Sequence, residues 1–468
     1  MKKDNRNLTF EEIEKLGEEV IGKTLGEISD SKYNLNNSKN KGGIGVLMEE
    51  NVFQYKTNSD KNPDFTRAGI ELKTTSIKKN KDGTFSAKER LVLNIINYME
   101  EYKKTFETSS FWHKNKKLYL LFYLWEERIP RSNYKIIKQM LFEYPDKDLI
   151  IIKQDWEFII NKIKEGKADE LSEADTLYLG ACPKGQNKSS LRRQPFSNMP
   201  AMQRAYCMKI SYMTHMVRTN VMNEKSENIV SSEDLEKNTF ESSLYNKIKK
   251  FIGTSREDLI DLFKLNHKSK DIIERIFAGI LGIKGKVNNC EEFQKANIVC
   301  KTIRVGENNL VRESMSFPAF KFMEIINEEW ESSTLRTQFS EKKYLFVIFK
   351  EENGTYYFKG IKLWNMPLSV LDNNVKQVWE RTIEIIKSGD IVKSQKKLSS
   401  GKLVIFNNFP NMSENPVSHV RPHAINASDC YNLPIPDRIT GLTTYTKQCF
   451  WLNSSYIQKI ILGEQGYV

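Results

Sequence analysis

Residues 63–77 read PDFTRAGIELKTTSI, and the rest of the chain is organised around them. Ala68–Ile77 has the composition of a strand, and side chains two apart on a strand share a face. Glu71 and Lys73 therefore point together, whereas Ile70 and Leu72 point into a core. Pro63 and Gly69 mark a bend that brings the carboxylate of Asp64 beside Glu71. Two hard anionic oxygens suit Mg2+, which dehydrates reluctantly and takes a few carboxylates together with substrate phosphate and water. The Lys73 ammonium can then orient or deprotonate an attacking water and balance charge on a pentavalent phosphate. With the spacing left free, an acid- and lysine-rich chain also produces such a pattern by accident. These residues by themselves leave a solvated, charged strand face as the other reading.

The 468 residues exceed one ordinary core, so two domains are expected. Lys and Arg number 72 against 60 Asp and Glu, a net charge of +12. That excess suits a polyanion without separating DNA from RNA. A membrane partner is not expected, because the longest apolar run, Leu118–Trp125, has the length of a buried strand. No apolar segment follows the opening MKKDNRN, which predicts no signal peptide and a cytoplasmic chain. The six cysteines, at 182, 207, 290, 300, 430 and 449, form no CxxC and pair with no histidine spacing. They read as reduced thiols, not as a disulfide framework or zinc site.

Along the chain, Thr9 and Glu12 form a capping box for a helix running to about Gly22. Residues Ser31–Lys41 read as a polar loop, and KGGIG (41–45) opens a second helix that carries Glu49. Strands are expected at Lys117–Trp125 and Asp148–Ile152, and a helix at Gln154–Gly166, an alternation that argues for an α/β layered domain. Residues 182–195, CPKGQNKSSLRRQP, carry four positive charges and no acid, and read as a surface loop suited to DNA. Asn223–Ser243 is mostly polar, with six acids against two lysines, the best linker candidate, so the expected division is 1–222, a 223–243 linker and 244–468.

The chain then starts over. IKQDWEFIINKIKEG (152–166) returns as VKQVWERTIEIIKSG (375–389), and NKKLYLLFYL (115–124) as EKKYLFVIFK (341–350). DFTRAGIELKTTSI (64–77) returns without a gap as EFQKANIVCKTIRV (292–305). In this second copy Glu292 stands for Asp64 and Lys301 for Lys73, but Val299 occupies the place of Glu71. No acid stands clearly for Glu49 in IERIFAGILG, so the second copy is expected to bind without cutting.

These segments resemble the MutH-like endonuclease family, which holds the mismatch-repair nicking enzyme and GATC-cutting restriction enzymes of the Sau-three-A type. The resemblance is closer to the latter and covers nearly the whole chain, through KGGIGVLMEENVF, PDFTRAGIELK, SAKERLVLNIINY, SLRRQP, MSFPAFKF, HVRPH and TKQCFW. It implies two tandem restriction-endonuclease-like domains, each a mixed sheet flanked by helices, the second catalytically degenerate. It further implies a type II restriction endonuclease that hydrolyses double-stranded DNA at GATC with Mg2+ and no nucleotide cofactor. By matching motifs the catalytic set is Glu49, Asp64, Glu71 and Lys73, with Glu49, Asp64 and Glu71 on the metal; Lys41 matches a lysine near the cleft.

The family reads DNA from the loop that here holds Pro183 and Lys184 and from a segment that here holds Lys209. Where the family has Arg-Pro-Lys, this chain has Cys182-Pro183-Lys184 in the first copy and Arg421-Pro422-His423 in the second, with Lys447 matching Lys209. Arg192 and Arg193 are assigned to phosphates, which position without specifying. Tyr212 and Phe450 occupy matching places and read as core aromatics. A palindromic site needs two cuts, yet only one metal cage is complete, so either two chains pair on DNA or one rebinds after the first nick. Pairing is expected, with the second copy as an effector module and not merely a completion of the fold or a clamp on the same duplex. The other readings are a methyl-directed nicking endonuclease of the mismatch-repair kind and a non-catalytic DNA-binding protein.

Overall fold

The computed structural model describes residues 5–30, 42–57, 60–185, 189–269, 271–397 and 403–463. The expected Ser31–Lys41 loop, Lys41 included, lies outside the described residues. The chain forms two compact units: Met1–Ser243 with Asn289–Asn297, and Leu244–Asn288 with Ile298–Val468.

The first unit opens with the Phe10–Glu18 helix, capped as its sequence predicts. The Glu12 amide donates to the Thr9 hydroxyl, and the Thr9 amide donates to the Glu12 carboxylate. Ile13 from this segment packs in one core with Phe53, Phe65, Leu72 and Tyr119. The main sheet runs Phe85–Ala87, Glu71–Lys79, Lys117–Leu124, Ile136–Glu143. Its central pair is parallel and both outer pairs are antiparallel. Lys117–Leu124 is the sheet's buried centre, with Leu118 through Phe122 covered on both faces, which is why it reads as an unbroken apolar run.

Asp148–Ile152, expected as a strand, is instead part of a helix, Asp146–Lys164. Leu149–Ile152 taken alone fits either element, but Trp156, Ile159, Ile160 and Ile163 continue its buried stripe at helical spacing. Asp146 and Asp148 lie in the first turn, where the helix dipole favours acids. The strand that does complete the sheet is Ile136–Glu143, whose Lys138 and Gln139 hide it from a hydrophobicity reading.

Residues 223–243 are likewise not a solvated tether. Ser232–Lys237 is helical, Ile229, Val230, Leu235 and Phe240 are buried, and the Ile229 and Val230 amides donate to the Glu292 carboxylate. Glu292 also accepts from the Lys147 ammonium at 2.7 Å, and Lys295 from the same Glu291–Ala296 helix binds Asp148 at 2.8 Å. Those bonds place 289–297 in the first unit. They also correct the equation of Glu292 with Asp64, because Glu292 is a buried helix residue and not part of a bend leading into a strand.

The second unit repeats the sheet pattern. Ile298–Val305 pairs parallel with Lys343–Glu352, which pairs antiparallel with Thr355–Trp364. The register repeats as well: Glu71 lies opposite Leu118 in the first sheet and Val299 opposite Tyr344 in the second. Val299 thus stands in the sheet position of Glu71, and Lys301 in that of Lys73, as the internal repeat aligns them. All six cysteines are free. Among the described residues no helix is long and apolar enough to cross a membrane.

Candidate active site

The site is built by a tight fold-back. Phe65 and Ile70 bridge antiparallel, the Gly69 amide donates to the Phe65 carbonyl, and Gly69 adopts φ +66°, a conformation glycine enters without a Cβ penalty. This turn lays Asp64 against the first residues of the Glu71–Lys79 strand. The Asp64 amide donates to Glu71 Oε2 and the Leu72 amide donates to Asp64 Oδ2, both at 3.1 Å. Leu72 and Ile70 are buried in the core, anchoring the strand from beneath.

Glu71 is 2 % exposed, and a buried carboxylate is costly unless paired. Lys73 Nζ donates to its Oε1 at 2.5 Å, and a second ammonium, Lys114 Nζ, lies 3.6 Å from the same oxygen. Lys114 donates in addition to the Asp60 carbonyl at 2.9 Å. It stands on the short Ser110–Asn115 helix just ahead of the central strand, and no spacing in the sequence marks it. Glu49 arrives from the other side, on the Met48–Val52 π-turn that continues the Gly43–Leu47 helix, half-buried. Burial raises its pKa against the pull of Thr57 and Lys73. The Tyr55 hydroxyl is buried beside these acids, and burial together with Asp64 and Glu49 keeps it protonated.

Asp64 carries the electrostatic signature of the site. Burial, then the neighbouring Glu71 charge, pushes its pKa up to about 7, with Lys73 and Lys114 pulling the other way. Two acids whose charges repel in a partly dry cleft form a place for a cation. Among the described residues, however, no three His, Cys, Asp or Glu side chains converge into a ready cage. Of the three acids expected on the metal, Asp64 and Glu71 are linked through the Asp64 amide, with Glu49 as a further charge nearby. A pair of hard oxygen donors fits Mg2+, which keeps several waters and substrate oxygens in its own shell.

A stability test follows from the raised pKa. The folded chain binds the Asp64 proton more tightly than the unfolded chain, so stability falls as pH rises from about 4 to about 7 and the penalty is complete above that. Asp64→Asn, which cannot ionise, is expected to raise the Tm in EDTA at pH 8 and to leave it nearly unchanged at pH 4.5. Equal Tm differences at the two values would contradict the shift.

The expected DNA-contacting residues divide into presented and hidden ones. Pro183 ends the Leu179–Pro183 strand, exposed, and Lys184 beyond it is exposed while its amide donates to the Gln203 carbonyl. Arg192 and Arg193 are exposed on the Leu191–Gln194 strand of a two-stranded hairpin. Lys209, in contrast, is 2 % exposed, and its ammonium donates to the Thr176 carbonyl at 2.5 Å. Burial lowers its pKa while Asp155 counters, so this lysine is a core cation and not the base-reading donor the motif suggests. In the second unit Arg421 is exposed with its guanidinium 4.9 Å from the Trp451 ring centroid, and His423 is exposed beside the same ring. Lys447 is already paired with Asp429 at 2.5 Å. Tyr212 is a core aromatic whose hydroxyl donates to Asp148, and Phe450 is likewise buried.

The parallel–antiparallel sheet thus bears a carboxylate pair and a lysine around the start of one strand. The family model described as the DNA mismatch repair enzyme MutH matches residues 53–155, which span Asp64, Glu71, Lys73 and Lys114. The type II restriction enzyme Sau3AI of Staphylococcus aureus is 39% identical to the chain, covering 97% of it and 98% of the relative. DNA mismatch repair proteins MutH of Shewanella woodyi and Actinobacillus pleuropneumoniae are each 29% identical, over 39% of this chain and 78% and 79% of theirs. The chain belongs to the MutH family, as a Sau3AI-like type II restriction endonuclease. It is a site-specific deoxyribonuclease, and its substrate is DNA.

Proposed function

We propose that the enzyme cuts both strands of duplex DNA at GATC, using Mg2+ held by Asp64 and Glu71. The observation that supports this most is the carboxylate pair itself: Asp64 and Glu71 locked together through the Asp64 amide, with Lys73 on the same strand face. Bound there, Mg2+ supplies Lewis-acid neutralisation of the scissile phosphate. Lys73 holds Glu71 in place and, once a phosphate enters, is positioned to orient the attacking water and offset developing charge. Lys114 adds a second positive charge at the same carboxylate. Glu49 contributes a further acid and its Thr57 contact at the rim. The second unit, which lacks an acid at Val299, is read as a degenerate DNA-binding copy that acts as an effector. Full-length likeness to a restriction enzyme favours this reading over the mismatch-repair one, since the mismatch-repair relatives match only 39% of the chain.

Digestion of a plasmid of known sequence with Mg2+, followed by mapping of the ends, tests the assignment: every end is expected to fall at GATC. Ends at another recurring sequence would move the specificity elsewhere.

Readout is tested by substitution. Lys184→Ala is expected to lower discrimination between GATC and one-base variants by roughly 1–3 kcal/mol, the worth of a good contact to a guanine edge. Arg192→Ala or Arg193→Ala is expected to weaken binding to all duplexes and to flatten its salt dependence. Competition assays at two salt concentrations separate the two patterns, and equal loss on specific and random DNA for Lys184→Ala would remove it from base readout.

A further inference from the structure

In the second unit the place of the carboxylate pair is taken by a cleft of about 370 Å³ whose lining includes Val299, Lys301, Ser316, Gln338, Lys342 and His423. The lining contains no Asp or Glu. The contrast with the first unit is one of charge. There, Glu49, Asp64 and Glu71 face Lys73 and Lys114, an excess of negative charge that calls for a cation. Here the strand position of Glu71 is apolar and that of Lys73 remains a lysine. A second lysine, Lys342, joins it from just ahead of the Lys343–Glu352 strand.

Both ammoniums are on half-buried side chains. Burial, and then the charge of Lys301, lowers the pKa of Lys342, while Glu341 counters. Like charges gathered in a partly dry cleft repel, and an anion relieves that repulsion more than any neutral ligand does. The Gln338 amide and Ser316 hydroxyl add neutral hydrogen-bonding groups, whereas nothing in the lining offers the carboxylate oxygens that Mg2+ requires.

We propose that this cleft is a metal-free phosphate seat, in which Lys301 and Lys342 hold a backbone phosphate of DNA where the other copy holds a metal. The loss of the acid thus converts a cation site into an anion site on the same strand scaffold. The inference rests on the reading of the second unit as a DNA-binding copy. It deepens that reading by naming the group that is gripped and by requiring no divalent ion.

The test uses the full chain in EDTA. Binding of a GATC duplex and a random duplex is measured over a range of salt for the native protein and for Lys301→Gln/Lys342→Gln. The variant is expected to show a salt slope smaller by about 0.9, the value for one lost phosphate contact, on both duplexes alike. Lys301→Arg/Lys342→Arg is expected to keep the slope. In parallel, inorganic phosphate is expected to raise the Tm of the native chain more than that of the Gln variant. A smaller phosphate-induced rise in Tm in the single Lys342→Gln serves the same purpose if the double variant does not fold.

An unchanged slope together with an unchanged phosphate response overturns the seat. A lost phosphate response with an unchanged slope keeps the seat but assigns it to free phosphate anion instead of DNA. Stimulation of single-site plasmid cleavage by a GATC oligonucleotide in trans reports the reading of the second unit as a DNA-binding copy independently, so failure of one is not mistaken for failure of the other.

Discussion

Glu71→Gln is expected to cut DNA on the order of 10³-fold more slowly than the native chain, or not measurably, while binding duplex in EDTA about as well. The substitution keeps the shape of the side chain but removes the negative charge that anchors the site. Glu71 Oε1 receives Lys73 at 2.5 Å with Lys114 3.6 Å away, and Oε2 receives the Asp64 amide. A neutral amide there offers a weaker oxygen to a metal ion and presents an N–H group to one of these donors. Losing several kcal/mol of transition-state stabilisation corresponds to that factor, at about 1.4 kcal/mol for each tenfold. The exposed cations proposed to carry DNA affinity, Lys184, Arg192 and Arg193, are not touched by the change. Single-turnover cleavage and filter binding on one duplex separate the two effects. Near-native cutting by Glu71→Gln would place the chemistry elsewhere.

The second large effect concerns the number of sites. GATC is its own complement, so a double-strand break needs one cut in each strand, and of the two repeated strands only the first carries an acid, Glu71, where the second has Val299. If Glu71 marks the one set of cutting groups in the chain, a concerted break needs two chains on the site. If the second unit grips a further GATC as an effector, occupancy there favours the paired assembly by linkage. Plasmids bearing several GATC sites are expected to be cut at least about tenfold faster than plasmids bearing one, a coupling of about 1.4 kcal/mol and within the usual range. An uncleavable GATC oligonucleotide in trans is expected to rescue the single-site plasmid. Equal rates on all substrates without stimulation would dispose of the effector role and leave the nuclease standing.

What could be read from the sequence was local. Glu71 and Lys73 share a strand face because they are two residues apart, and Asp64 reaches them because Gly69 permits a tight fold-back closed by the Phe65–Ile70 bridge. The repeat was legible because the strand register is copied, so Val299 could be matched to Glu71 before any coordinates. Features set by tertiary structure were not legible. Lys114 and Tyr55 come to the site from separate elements, with nothing in their own surroundings to mark them. Lys209 resembles a surface donor in its motif, yet its ammonium is drawn inward to Thr176 and the Asp155 charge. Asp148–Ile152 was misread because a short apolar run fits strand and helix equally, and its register only declares itself through Trp156 and Ile163. Residues 223–243 look solvated by composition, but Ile229 and Val230 are pinned by Glu292, which lies far along the chain.

The central claim is that the metal sits at Asp64 and Glu71 in the first unit and that the second unit holds none. Iron-mediated self-cleavage tests it directly: Fe2+ replaces Mg2+, ascorbate and peroxide are added, and the peptide fragments are mapped. Backbone scission is expected to cluster around Glu49 and Asp64–Lys73, abolished in Glu71→Gln and by excess Mg2+, with none around Val299–Lys301. Scission at Val299–Lys301, or an undiminished pattern in Glu71→Gln, would contradict it.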